Sequence, residues 1–367
     1  MKPRRGQLAG LLLAVVCGAA AQAQSPPAQP APTAYVPRPE VLQLFMLGRD
    51  TLNQAGRTED SKARAEKIRE AIKYLDQAAT KDPKYAPAQY GVAQAYNMLA
   101  SFGGAEAKEA FPRVKAAAQK ALENGDHLAG GHLWLAAAYY QFEWDWAGAE
   151  REFRRALELN PREAAAQRFY ARFCASLGRF EEALAAVRRS QALESNPSPA
   201  YSTLGLVSFW ARRYDEAIEN YQKILAANPA NQTARVYVGL ARAQKGQSTD
   251  ALAELEKGAA DRNASAVAAL AYGYALAGRR EEALKLLKEL IEGARKPFTR
   301  FPTVVPPYRL AAVYAALAEK DQALEWLEKD YAARGGWMVW LKVDAAFDTL
   351  RHDPRFQQLL RRMNFPD

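Results

Sequence analysis

The sequence predicts an all-α chain of stacked helical hairpins, an α-solenoid. The first observation behind that expectation is a recurring frame. Small residues Ala149, Ala183, Ala217, Ala251, Ala283 and Ala323 follow one another at intervals of 34, 34, 34, 32 and 40 residues. Twelve residues before each stands another small residue: Ala137, Ala171, Gly205, Gly239, Ala271 and Ala311. The second observation is helical periodicity in glycine-punctuated, alanine-rich stretches, with no alternating strand pattern beside it. The third is composition: 367 residues that are 49% hydrophobic and 25% charged can bury a large core without disulfide staples.

Residues 1–23 read as a secretory signal peptide. Lys2, Arg4 and Arg5 precede an apolar stretch from Leu8 to Val16, and Ala21-Gln22-Ala23 forms a small-x-small cleavage pattern. That apolar stretch is about half the ~20 residues of a spanning helix, which argues against a retained anchor, and Val16 ahead of Cys17 argues against a lipoprotein. Cleavage makes Gln24 the N-terminus, lowers the formal net charge from +9 to +6 and leaves Cys174 as the one cysteine, so no internal disulfide forms. The expectation is an exported protein, periplasmic or extracellular, with no stable membrane span after cleavage.

Residues 24–39 are proline-rich and predict an extended tether. Residues 40–129 predict two divergent hairpins. The first pairs "LGRDTL" with "EAIKYLDQAATKDP" across a polar insertion from Asn53 to Glu66, and the second pairs "PAQYGVAQAYNMLA" with "FPRVKAAAQKALENGDH" around Gly103-Gly104. Residues 130–337 hold six regular repeats. Their small residues let paired helices approach, bulky ones such as Leu204, Leu270, Leu310, Tyr140, Tyr274 and Phe153 fill the groove between them, and Pro161 and Pro229 end second helices. Residues 338–367 break the frame and predict a C-terminal cap with Asp353 as N-cap and Pro354 opening the last helix.

This frame of small, aromatic, small and proline positions resembles the tetratricopeptide repeat, with "AYSTLGLVSFWARRYDEAIENYQKILAANP" (200–229) the copy most like the family. The resemblance implies a right-handed superhelix of about eight hairpins ending in a capping helix. Its inner wall, formed by the first helix of each pair, would be a groove for protein or peptide partners. The tail, with "EWDWAGAE" and "LAEKDQALEWLEKDY", is similar to a bacterial subfamily whose repeats often follow a winged-helix, kinase or cyclase module; here a leader and tether take that place. The subfamily tends to read Asp-Pro-Arg-Phe-Asp where this chain has Asp344-Ala345-Ala346-Phe347-Asp348, so an internal helix cap is expected to be lost there.

Catalysis finds little support. His127, His132 and His352 have no metal-ligand spacing and read as surface or capping residues, and neither a phosphate loop nor a G-x-S-x-G elbow occurs. Glu143 and Asp145, beside Trp144 and Trp146, lie in one short turn, whereas a glycosidase needs carboxylates facing each other across a cleft. Cys174 sits at a core position and is expected to be inert. The arginine pairs are interleaved with acids, which argues against nucleic acid. The expected protein has no cofactor and no metal.

Carried onto this frame, the family's groove-facing offsets imply Tyr90, Gln94, Asn97, Trp134, Gln141, Arg168, Arg172, Phe209, Tyr272 and Tyr308. Aromatics and amides beside two arginines four apart suit a peptide with an acidic side chain or free carboxylate. The expected function is a non-catalytic scaffold. Two alternatives stand beside it: an envelope glycan-binding or glycan-processing protein using the Trp144–Trp146 region, and the sensory partner of a separate signalling protein.

Overall fold

The computed structural model describes residues 35–58, 60–102, 104–125, 127–295 and 305–366; the expected leader, Cys17 and most of the tether lie outside them. Seventeen α-helices and no strand occur among the described residues. Sixteen pair into eight hairpins. The two N-terminal pairs are α1 (Pro39–Arg57) with α2 (Ser61–Lys81) and α3 (Ala86–Ser101) with α4 (Ala107–Leu122). Next come α5 (Ala129–Ala138) with α6 (Trp146–Leu159), α7 (Ala164–Ser176) with α8 (Phe180–Leu193), and α9 (Ser198–Trp210) with α10 (Tyr214–Ala227). The last three are α11 (Gln232–Gln244) with α12 (Ser248–Gly258), α13 (Ala264–Leu276) with α14 (Arg280–Arg295), and α15 (Pro307–Ala316) with α16 (Lys320–Ala333).

The small-residue positions do what close helix packing requires. A Cβ on Gly205 would come within 2.6 Å of the Tyr221 ring, and Ala217 opposite is completely buried. Helices α6 and α10 stop two residues short of Pro161 and Pro229. Side chains of Asp60, Asp145, Asn231 and Asn263 accept from first-turn amides of α2, α6, α11 and α13.

Two expectations need correction. The polar insertion from Asn53 to Glu66 is largely helix, with α1 running to Arg57 and α2 starting at Ser61, because Asp60 caps Ala63 at 2.7 Å and Ala55 and Ala65 bury their methyl groups in the pair. The internal cap at Asp344 is kept despite the missing proline. The Asp344 carboxylate accepts from the Ala346 amide at 2.9 Å and starts a 3₁₀ turn, Ala345–Leu350.

Beyond α16 the chain turns at Arg334, whose φ is 56°, and runs through a 3₁₀ turn at Met338–Trp340 and the one at Ala345–Leu350 into α17 (Pro354–Arg362), capped by Asp353. This segment is core: Met338, Leu341, Phe347, Leu350, Phe356 and Met363 are 0% exposed. It packs on α16 through the ion pairs Arg355–Asp321 and Arg362–Glu328. It also reaches far back along the stack. Trp340 stacks on Trp210 at 5.1 Å, Phe365 on Trp146 at 4.5 Å, and Asp348 pairs with Arg212 at 2.7 Å.

Candidate partner-binding site

The expected groove residues lie on the first helices, or for Gln141 just after one, in different states. Tyr90 and Gln94 of α3 are half-buried, while Asn97 is buried with its amide nitrogen unpaired. Trp134 of α5 is buried edge-to-face on Phe169 at 5.2 Å, and Gln141, in the π-helical turn Tyr139–Glu143, also has an unpaired amide nitrogen. Arg168 and Arg172 of α7 do not act as a pair. The Arg168 guanidinium is engaged by Glu194 and by Ser190 Oγ at 3.2 Å, whereas Arg172 keeps a buried, unpaired Nε.

Phe209, Tyr272 and Tyr308 are brought together. They line one cavity with Trp210, Gln244, Arg309 and Asp344, so that α9, α11, α13 and α15 each contribute a polar side chain. Gln244 donates to the Tyr272 hydroxyl at 2.7 Å, and the Tyr308 hydroxyl donates to Asp344 Oδ2 at 2.7 Å. Burial raises the pKa of both phenols and of the Asp344 carboxyl; the Tyr308 and Ala346 hydrogen bonds and the charges of Arg309 and Arg351 oppose the rise at Asp344.

Asp344 and Ala346 belong to the C-terminal segment, so across hairpins five to eight the inner face is roofed by the chain itself. Trp210 and Arg309 were not expected at this site. They sit next to Phe209 and Tyr308, and a reading of groove offsets alone passes over them. Asp344 was read only as a lost cap, because its segment lies outside the repeat register.

The acidic, tryptophan-rich turn is structural. Glu143 pairs with Lys115 at 2.7 Å, and Asp145 caps α6 through the Gly148 amide at 2.9 Å. Trp144, left-handed at φ 57°, is 1% exposed and packed at 5.0 Å from the Tyr331 ring, with the Arg334 guanidinium 4.0 Å above it. These partners come from the eighth hairpin and the turn that follows it. Cys174 is 0% exposed; burial pushes its thiol pKa up to about 11 even though Arg179 donates to Sγ at 3.3 Å. His127 and His352 are exposed, but His132 is buried, with Nδ1 2.6 Å from Glu152 of the paired helix, which corrects the surface or capping reading. Among the described residues no group of three or more His, Cys, Asp and Glu could hold a metal ion, and no helix is long and apolar enough to cross a membrane.

The first-helix surface is open at the N-terminal end. Leu42, Phe45, Met46 and Arg49 share one face of α1. Leu42 and Met46 are 40% and 45% exposed, Phe45 packs edge-to-face on Tyr85 at 5.4 Å, and Arg49 lies 5.8 Å over the Phe45 ring. The Arg49 charge acts on the phenols of both Tyr85 and Tyr90, which places it beside α3.

Residues 143–205 and 203–268 match family models for the tetratricopeptide repeat. The small glutamine-rich tetratricopeptide repeat-containing protein 2 of Mycosarcoma maydis is 28% identical over 120 residues, which are 32% of this chain and 34% of that protein. The match thus spans about a third of that relative's length. Among solved structures, a tetratricopeptide repeat protein from Parabacteroides merdae is similar over 75% of this chain and 99% of its own, with a TM-score of 0.50 and 14% identity. Yeast Tom70 is similar over 90% of this chain and 69% of its own, with a TM-score of 0.50 and 13% identity. At such identities the likeness concerns the fold alone.

Proposed function

We propose that this tetratricopeptide-repeat protein is an exported, non-catalytic scaffold that holds protein or peptide partners on the first-helix faces of its two N-terminal hairpins. Stacked repeats of this kind offer extended binding surfaces. The observation that carries the choice of surface is a contrast. Between α9 and α15 the first helices are covered by Asp344 and Ala346, whereas Leu42 and Met46 of α1 stand 40% and 45% exposed on the helix face that carries Arg49, whose charge reaches Tyr90. Contiguous exposed apolar side chains next to aromatics and a cation are the composition of a contact surface. The matching partner segment carries apolar side chains and an acidic group opposite Arg49. Export rests on the leader-like residues 1–23, and intact-mass measurement of the exported protein should give a chain beginning at Gln24.

A pull-down from envelope extracts tests the reading, using the natural chain and the Leu42→Asp, Met46→Asp double variant. The expected result is a stoichiometric protein partner held by the first and lost by the second, with equal helicity and melting for both. Retention on peptidoglycan or polysaccharide with no protein partner would overturn it and favour a glycan-binding role.

A further inference from the structure

The two N-terminal hairpins hold a hollow that takes no part in the scaffold reading. It measures about 560 Å³, opens to solvent on one side, and is lined by α2, α3, the turn between α3 and α4, and α4. That volume is typical of small-molecule sites. Tyr96 and Leu99 line it from α3, about a third to half a turn round that helix from Tyr90 and Gln94, so the hollow is separate from the proposed contact surface. The turn is held in place: Arg69 Nη2 donates to the Gly104 carbonyl at 2.6 Å, and a Cβ on Gly104 would come within 2.5 Å of Leu99. Ala105, next to it, leaves space that a larger side chain would fill. The charges on the lining are unequal. Arg69 and Arg113 stand against Glu109, which leaves one positive charge over. Arg113 makes no hydrogen bond or ion pair among the described residues, although its charge reaches the Tyr96 phenol and the Asp76 carboxyl.

We propose that this hollow binds a small carboxylate of single negative charge on an apolar body, an aromatic or short aliphatic acid. Its carboxylate pairs with Arg113, whose planar fork matches two carboxylate oxygens, and Arg69 adds a second positive charge. Its hydrocarbon part covers Leu99, Ala105 and the Tyr96 ring. The lining selects against other charge states. An amine would meet two guanidinium groups. A phosphate ester carries about −1.5 to −2 charge and would set the excess near Glu109 and Asp76. A neutral analogue would gain the apolar contact and leave Arg113 unpaired.

The test titrates the full chain, by calorimetry and ligand-observed NMR, with benzoate, hexanoate, benzamide, benzylammonium and inorganic phosphate as separate probes. Benzoate or hexanoate should bind saturably, and the other three at least tenfold more weakly. Arg113→Gln, with helicity equal to that of the natural chain, should weaken carboxylate binding about tenfold, the loss expected for a hydrogen bond between charged groups. Ala105→Phe should abolish it by occupying the space, and reads the same site without touching a charge. Arg279→Gln, at an exposed arginine of the seventh hairpin, should leave it unchanged. Absence of saturable binding by both carboxylates would overturn the proposal. So would benzamide, benzylammonium or phosphate binding as tightly as benzoate, unchanged affinity in both Arg113→Gln and Ala105→Phe, or an equal loss from Arg279→Gln.

Discussion

The indole nitrogen of Trp146 donates a 2.8 Å hydrogen bond to the carbonyl oxygen of Met363, 217 residues further along the chain. Phe365 stacks on the same indole, and Trp144 next to it is held by Tyr331 and Arg334. In a simple solenoid each repeat touches only its neighbours, and stability is close to a sum of local terms. Here the third hairpin is fastened to the eighth and to the chain's end, so the hairpins between them should unfold together.

Trp146→Ala removes a buried aromatic and the donor for Met363 at once. The expected loss is about 3 to 5 kcal/mol, read by chemical denaturation. Trp146→Phe keeps the stack on Phe365, loses the hydrogen bond and should cost less. Equal stability for Trp146→Ala and the natural chain would mean that the fastening contributes nothing.

Gly205→Leu should destabilise by about 1 to 3 kcal/mol or more. The new side chain meets Tyr221, which cannot yield because it is 1% exposed and stacked on Tyr237 at 5.0 Å. An unchanged melting temperature would contradict the packing of α9 on α10.

Asp330 gives a pH dependence of definite sign. Burial raises its carboxyl pKa from 3.8 to about 7, and its Oδ2 has no partner. The native chain therefore binds this proton more tightly than the unfolded chain, and the contribution to stability is largest below pH 4, falls as pH rises from about 4 to 7, and is flat above. Asp330→Asn should remove that slope and be more stable than the natural chain at pH 8. Denaturation midpoints across this range decide it: parallel curves for the two proteins would contradict the assignment.

Arg168→Ala should cost about 1 to 3 kcal/mol, since it leaves Glu194, with a side chain only 19% exposed, without its cation. Arg279→Ala should leave stability nearly unchanged, since its pairing with Glu282 is open to water. Comparable losses would show that the half-buried pair has no special weight.

The hairpins were legible because close packing writes itself into the sequence at fixed intervals. Gly205 and Ala217 recur in kind because a Cβ, or a larger side chain, at those points meets the facing helix. Capping was legible at Asp353 but not at Asp344, where the carboxylate caps without help from a following proline. Arg168 was misleading: four-residue spacing to Arg172 shows a shared face but cannot show that Glu194, at the end of the next helix, engages one of the two. The roof over the inner wall could not be read at all. It depends on pairings such as Trp210 with Trp340 and Trp146 with Met363, whose partners lie in a segment with no repeat register and at separations that no periodicity encodes.

Native-state hydrogen exchange on the intact protein tests most directly whether the C-terminal segment is a permanent part of the inner wall. The account predicts that amides of Leu341, Val343, Asp344, Phe347 and Met363 exchange with the same opening free energy as those within α5, α9 and α15, as one cooperative unit. Fast exchange across residues 338–363 while α5, α9 and α15 stay protected would contradict it, and would return the inner face of hairpins five to eight to the surface open to partners.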